Sequence, residues 1–134
     1  WGVMEPDAEE RIKAAAQAQV IECLNRFYAM ETGLWGGPLD ALIVRTIIVG
    51  DIQGRPYDLS ALAGVLDIPV STIHRRVNDL VERNLLERSA AGRSVYLKPT
   101  VQTRQALDMT FDDMLATLTR LYRGDVGPRC GVPD

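Results

Sequence analysis

The sequence has little of what enzymes and metalloproteins are built from. It holds one histidine, His74, and two cysteines, Cys23 and Cys130. No Cys, Asp or Glu stands at ligand spacing beside His74, which argues against a metal site. The two cysteines are too few and too far apart for a disulfide framework, so the expected compartment is a reducing cytoplasm. There is no glycine-rich phosphate loop and no nucleophile–histidine–acid arrangement, and the expectation is a protein that is not an enzyme and needs no cofactor. No apolar run approaches the roughly 18 residues of a membrane span, and no secretory leader is recognisable. Internal repeats and low-complexity tracts are also missing.

Positive charge is short overall: 15 Lys and Arg face 18 Asp and Glu, for a net charge of −3. A total of that sign argues against a nucleic-acid partner, but the distribution argues for one. From Ser71 to Arg104 the cations are Arg75, Arg76, Arg83, Arg88, Arg93, Lys98 and Arg104 against Asp79, Glu82 and Glu87, a local excess of +4. From Trp1 to Asp40 the balance is reversed, at −4. A local basic patch, and not the total, steers a protein to phosphates. The 134 residues, 46% hydrophobic and 25% charged, suit one ordinary globular domain.

The chain is organised around Leu59 to Leu97, which reads as helix, sharp turn, helix, strand, short loop and strand. The second of these helices is expected over Pro69 to Arg83. At about 100° per residue, Ile73, Val77 and Leu80 share one side, with Val70 and Val81 on its flank. Ser71, Arg75 and Asn78 fall opposite, with Thr72, His74 and Asp79 at the margins. One face is core; the other offers hydroxyls, an amide and a guanidinium. Such groups hydrogen-bond base edges and phosphates, and a DNA major groove admits one helix.

Before this stretch, Asp7 with Glu10 marks a helix start. Ile12, Ala16, Val20, Cys23, Phe27 and Met30 then step by threes and fours, predicting an amphipathic helix to Glu31 that ends at Thr32-Gly33. Leu34 to Gly37 is expected to be loop. Cys23 on that stripe reads as a small buried hydrophobe and not a redox sensor. Trp35, Tyr28 and Phe27 read as packing, with the border of a ligand pocket as the alternative. Pro38 suits the first turn of a helix, and Leu39, Leu42, Ile43, Thr46 and Ile47 continue it, nearly buried all round despite a β-branched content that would suit a strand. Asp58 or Ser60 can cap the helix of Leu59, Leu62, Ala63 and Leu66. Asp67-Ile68-Pro69 makes the turn, with Ile68 plugging the angle and Pro69 in the next first turn.

Asn84, tolerant of positive φ, closes the two-faced helix. A hairpin is expected from Leu85–Ser89 and Ser94–Lys98 around Ala90-Ala91-Gly92-Arg93, with Gly92 allowing the reversal and Arg93 at or beside the tip. Tyr57-Asp58 can add a very short strand. Thr100 can cap a last helix over Val101 to Arg123, where Leu107, Phe111, Met114, Leu118 and Leu121 form a seam that asks for another helix. Gly124 to Asp134, with Cys130, reads as a tail.

This order resembles the winged helix-turn-helix transcription regulators, and among them the MarR-type proteins. The likeness rests on Leu59-Ser60-Ala61-Leu62-Ala63, on Ile68-Pro69-Val70-Ser71-Thr72-Ile73-His74-Arg75, on Val77, Leu80 and Arg83, and on Asn84-Leu85-Leu86-Glu87-Arg88. The family opens its recognition helix on a Ser-Thr pair with an Arg one turn on, then steps through Gly-Leu-apolar-acid-Arg into the wing; Asn84 here replaces that Gly. Related families such as the IclR type share the Ile-Pro-x-Ser-Thr-apolar-His-Arg pattern.

The resemblance implies a mainly α fold with a small β-hairpin. Its parts would be an N-terminal dimerisation helix and loop (1–37), a winged helix-turn-helix DNA-binding domain (38–100), a C-terminal dimerisation helix (101–123) and a flexible tail (124–134). It implies a homodimer on double-stranded DNA, with a recognition helix in each major groove and the wing on backbone or minor groove. A small aromatic effector is a further partner that the family implies. The candidate DNA-binding residues are Ser71, Thr72, His74, Arg75, Arg76, Asn78 and Arg93. Of these, Arg76 lies nearest the core margin and either reaches phosphate or pairs with a neighbouring acid. The alternative is a winged-helix module that binds protein without DNA, which an acidic total and a short wing would suit.

Overall fold

Asp7 opens the first helix, α1 (Ala8–Trp35), by accepting the Glu10 amide on its carboxylate at 2.8 Å. The computed structural model describes residues 7–124; the expected tail beyond Gly124, with Cys130, lies outside the described residues. α1 runs through Thr32-Gly33 to Trp35, two residues past the stop expected there. One glycine costs a helix only about 1 kcal/mol, and burial of Trp35, 3% exposed, draws the last turn into the core. The connection therefore shrinks to Gly36-Gly37, with Gly36 at φ +110°.

Pro38 occupies the first position of α2 (Pro38–Ile52). Asp40, Ala41, Ile43, Val44, Ile47, Ile48 and Gly50 of that helix are buried, so the β-branched run is a helix with its core side filled. The buried set is offset by one residue from the expected one, since Leu39, Leu42 and Thr46 are only half-buried. Asp58 caps α3 (Leu59–Leu66), its side chain accepting the Ala61 amide at 2.8 Å. Asp67 ends that helix in the left-handed region at φ 56°. Pro69 then stands as the cap of α4 (Val70–Glu82), one position earlier than expected. Ile73, Val77 and Leu80 of α4 are each fully buried with Ile43 and Ile47 of α2 and Leu62 of α3 in one cluster.

Asn84 turns the chain at φ 61° into the hairpin β1 (Leu86–Ala91) and β2 (Ser94–Pro99). The strands are antiparallel, with Leu86 opposite Pro99 and Ala91 opposite Ser94, so the loop is Gly92-Arg93 alone, with Gly92 at φ 63°. Leu86 and Leu97 close the core from this side. The expected third strand is reduced to one bond, from the Leu97 amide to the Tyr57 carbonyl at 2.8 Å. A buried hydroxyl pair ties the hairpin base to α5 (Val101–Arg123). Thr103 donates to the Leu85 carbonyl at 2.7 Å, and Thr100 donates to the Asn84 carbonyl at 2.8 Å while accepting the Thr103 amide at 3.1 Å.

By packing, the chain forms two units: Glu31–Met109, which holds the core just described, and the chain on either side of it. In the second unit α1 and α5 lie side by side in opposite directions, with Glu22 accepting from both Arg120 and Arg26. Cys23 is buried there, and Thr117 turns its hydroxyl back to the Asp113 carbonyl at 3.0 Å. The expected seam is open: Phe111 and Leu118 are exposed, and so are Ile12, Val20, Ile21, Leu24 and Leu115. Among the described residues no helix is long and apolar enough to cross a membrane.

Two substitutions test this packing. A Cβ at Gly50 would lie 2.8 Å from two ring carbons of Tyr57 and 2.9 Å from the Arg55 carbonyl oxygen. Gly→Ala inside a helix ordinarily gains about 0.5–1 kcal/mol. Here the overlap reverses the sign, and Gly50→Ala is expected to lower unfolding stability by about 1–2 kcal/mol, read from the denaturant midpoint. Thr103→Val keeps the volume and leaves the Leu85 carbonyl without its shortest bond. An expected loss of about 1–2 kcal/mol follows in the same measurement.

Candidate nucleic-acid interface

α4 presents two faces because its apolar residues recur at helical spacing and its polar residues fill the intervals. With Ile73, Val77 and Leu80 fully buried, Ser71, His74 and Arg75 are exposed and Thr72 is half-buried at the edge. No side chain caps the first turn of α4. Arg93 is exposed at the tip of the hairpin. Arg75 and Arg93 form no ion pair among the described residues, and both guanidiniums stand in water.

Two of the candidates named from sequence have partners within the chain. Arg76 sits in a fork against α2: its Nε donates to Asp40 Oδ1 at 2.8 Å and its Nη2 to Asp40 Oδ2 at 2.7 Å. These bonds raise its pKa above the ordinary value, against the lowering effect of burial, and Asp40 and Asp79 add to the rise through their charge. Of the two roles open to Arg76 in the sequence, the geometry contains the ion pair. Asn78 is half-buried and accepts on Oδ1 from Arg88 of β1, so the hairpin touches the outward side of α4.

Asp40 also accepts from Arg83 Nη1 at 3.3 Å, and Asp79 accepts from Arg76 and Arg83 at 3.1 and 3.5 Å. Arg83 Nη2 meanwhile donates to the Trp35 carbonyl at 2.8 Å, at the last residue of α1. Two acids and two cations thus join the α1–α2 corner to α4.

Sequence reasoning missed Asp40 and Arg88. Asp40 lies in the first turn of a helix, where an acid needs no other explanation than the helix dipole, and its partners are 36 and 43 positions away. Arg88 was visible, without its partner Asn78, as one of a charged set and as the last residue of the Asn84–Arg88 step into the hairpin. It lines a groove of about 270 Å³ between the start of α3 and the hairpin, with Asp58, Ser60, Arg93 and Ser94.

No metal-ligand cluster is present among the described residues. A second groove, of about 430 Å³, lies in the α1–α5 unit against Asn25, Arg26, Met30, Asp113, Thr117 and Arg120. The aromatics named for a ligand pocket do not line it: Trp35 is core, Phe27 half-buried and Tyr28 exposed.

No protein-family model matches the chain, and no curated protein matches it. Solved structures do. RV1404 from Mycobacterium tuberculosis superposes with a TM-score of 0.64 at 17% identity, over 92% of this chain and 84% of that one. Sco3205, a MarR family transcriptional regulator from Streptomyces coelicolor solved in complex with DNA, gives 0.56 at 15%, over 95% and 82%. AbsC, another MarR family transcriptional regulator from the same organism, gives 0.56 at 14%, over 95% and 87%. At such identities the likeness concerns the fold, and the chain has the winged-helix fold of the MarR-type regulators.

Proposed function

We propose that the chain is a sequence-specific double-stranded DNA-binding transcriptional regulator that acts as a homodimer in the cytoplasm and catalyses no reaction. The observation that carries this is the outward placement of Ser71, His74 and Arg75 opposite a fully buried Ile73, Val77 and Leu80. α4 enters a major groove, where Arg75 meets a base edge and Ser71 and Thr72 meet phosphate near the helix start. His74 adds a contact beside Arg75, and Arg93 reaches the adjacent backbone or minor groove. The DNA-bound state of the similarly folded Sco3205 supports the reading.

The rival, a protein-binding module, would be favoured by acids breaking up the basic surface. Of the two acids that could break it, Asp79 is turned to Arg76 and Arg83, and Glu82 is exposed about two turns along the helix from Arg75. That arrangement favours DNA. Arg75→Ala is expected to weaken binding to a duplex selected from a random pool by about 1–3 kcal/mol and to relax preference at one base pair. The log–log salt slope of the wild type should be steep, at about 0.9 per phosphate contacted. Salt-independent binding, or none to any duplex, refutes the reading.

The dimer rests on the uncovered apolar residues of the α1–α5 unit, Val20, Leu24, Phe111 and Leu118 among them, all 48% exposed or more. Several large apolar side chains left exposed on one helical unit suit an association site. Paired recognition helices would then reach half-sites roughly 34 Å apart, one turn of DNA. Leu24→Glu and Leu118→Glu are each expected to shift sedimentation at micromolar concentration from dimer to monomer, and to weaken binding of a two-half-site duplex far more than of a single half-site.

A further inference from the structure

Burial of Ile73, Val77 and Leu80 sets which face of α4 turns outward, but the hydrophobic effect is non-directional and leaves the finer rotation to other contacts. Directional bonds have to set the angle at which Arg75 leaves the helix. They converge on Asp40, which is 7% exposed and receives three donors from two arginines of α4 and its cap. The Arg76 fork uses both carboxylate oxygens, and a planar two-bond fork fixes orientation as well as distance. Arg83, two turns further on, meets the same carboxylate and the Trp35 carbonyl. One anchored point allows a helix to swivel; two points about 10 Å apart along the axis do not. Gly36 completes the fit, since a Cβ there would lie 3.2 Å from Arg83 Nη2 and 3.6 Å from Asp40 Oδ2.

The same bonds have an electrostatic consequence. Arg76 and Arg83 are 34% and 41% exposed, close enough to water to be offered to a phosphate were they released. Held by Asp40 and Asp79, they form a neutral cluster beside the reading face. A phosphate contact adds affinity for every sequence alike, so withholding two cations favours discrimination over total affinity.

We propose that Asp40 is the positioning residue of the reading helix: it sets the rotation of α4 that delivers Arg75 to a base edge, and it keeps Arg76 and Arg83 from the phosphates. This rests on the DNA-binding reading above. The test compares full-length wild type with Asp40→Asn on two duplexes across a salt series. One duplex is recovered from a random pool by the wild type, and the other is a scramble of equal composition. Asp40→Asn is expected to bind the selected duplex at least tenfold more weakly and the scramble as well as before or better. The salt slope on the scramble should steepen by about 1–2, as freed arginines reach phosphate. Arg76→Lys, which keeps the charge and loses the fork, should lose discrimination in the same direction, and it serves as the test should Asp40→Asn not fold. Equal proportional losses on both duplexes, or an unchanged ratio, overturn the proposal. A wild type that binds neither duplex removes the DNA reading itself, and this inference with it.

Discussion

Burial of Ile73, Val77 and Leu80 beneath α4 is the constraint on which the rest of the Glu31–Met109 unit depends. Each is wholly withdrawn from water, and burying a side chain of this size contributes about 1.5–3 kcal/mol. The three share one stripe, so His74 and Arg75 between them face outward. α2 supplies the opposing surface through Ile43, Val44 and Ile47, α3 through Leu62, and the hairpin through Leu86 and Leu97. The turns exist to bring these surfaces together. Asp67 and Asn84 take the left-handed conformation just after α3 and α4, where a continued helix would carry the next element away from the core. The Thr100–Thr103 hydroxyls then satisfy the carbonyls left open at the hairpin base, where an unpaired acceptor would be costly.

What could be read from the sequence follows from that division of labour. Periodicity, caps and turn residues are local, and they disclosed the element order, both faces of α4, a cap at Asp58 or Ser60 and the reversal at Gly92. The polar interactions that tie α4 to α2 are not local. Asp40 resembles any acid in a first turn until Arg76 and Arg83 are folded against it. Arg88 resembles any strand cation until β1 brings it to Asn78. Trp35 illustrates the converse: glycines on either side of it suggest a loop, and only the demand for a large apolar group at the core explains why α1 continues through Gly33. The start of α4 differed by one residue because Pro69 can serve either as cap or as first-turn residue.

Counting charges in the sequence overstated the cations available on this surface. Of the seven between Ser71 and Arg104, Arg76 and Arg83 are neutralised by Asp40 and Asp79, and Arg104 lies 4.0 Å from Asp51. Arg75, Arg93 and Lys98 carry no ion pair among the described residues, and Arg88 is bonded to a neutral amide. The positive charge that remains is modest and lies on α4 and the hairpin. That suits a protein of net charge −3, because an acidic remainder weakens long-range adhesion to any polyanion while leaving short-range contacts intact.

A TM-score of 0.64 at 17% identity shows how little of this architecture needs particular side chains. Apolar groups of suitable volume at the right period, a residue tolerant of positive φ at two turns, and a cap or two are sufficient to specify the layers. The outward residues of α4 are under no such packing demand. They are free to differ between chains of one fold, and on the proposed reading that is where recognition is encoded. Under the proposed DNA-binding reading, base preference is a property of Ser71, His74 and Arg75 as this chain holds them. The carboxylate proposed to set the angle of their presentation, Asp40, lies outside the helix that carries them.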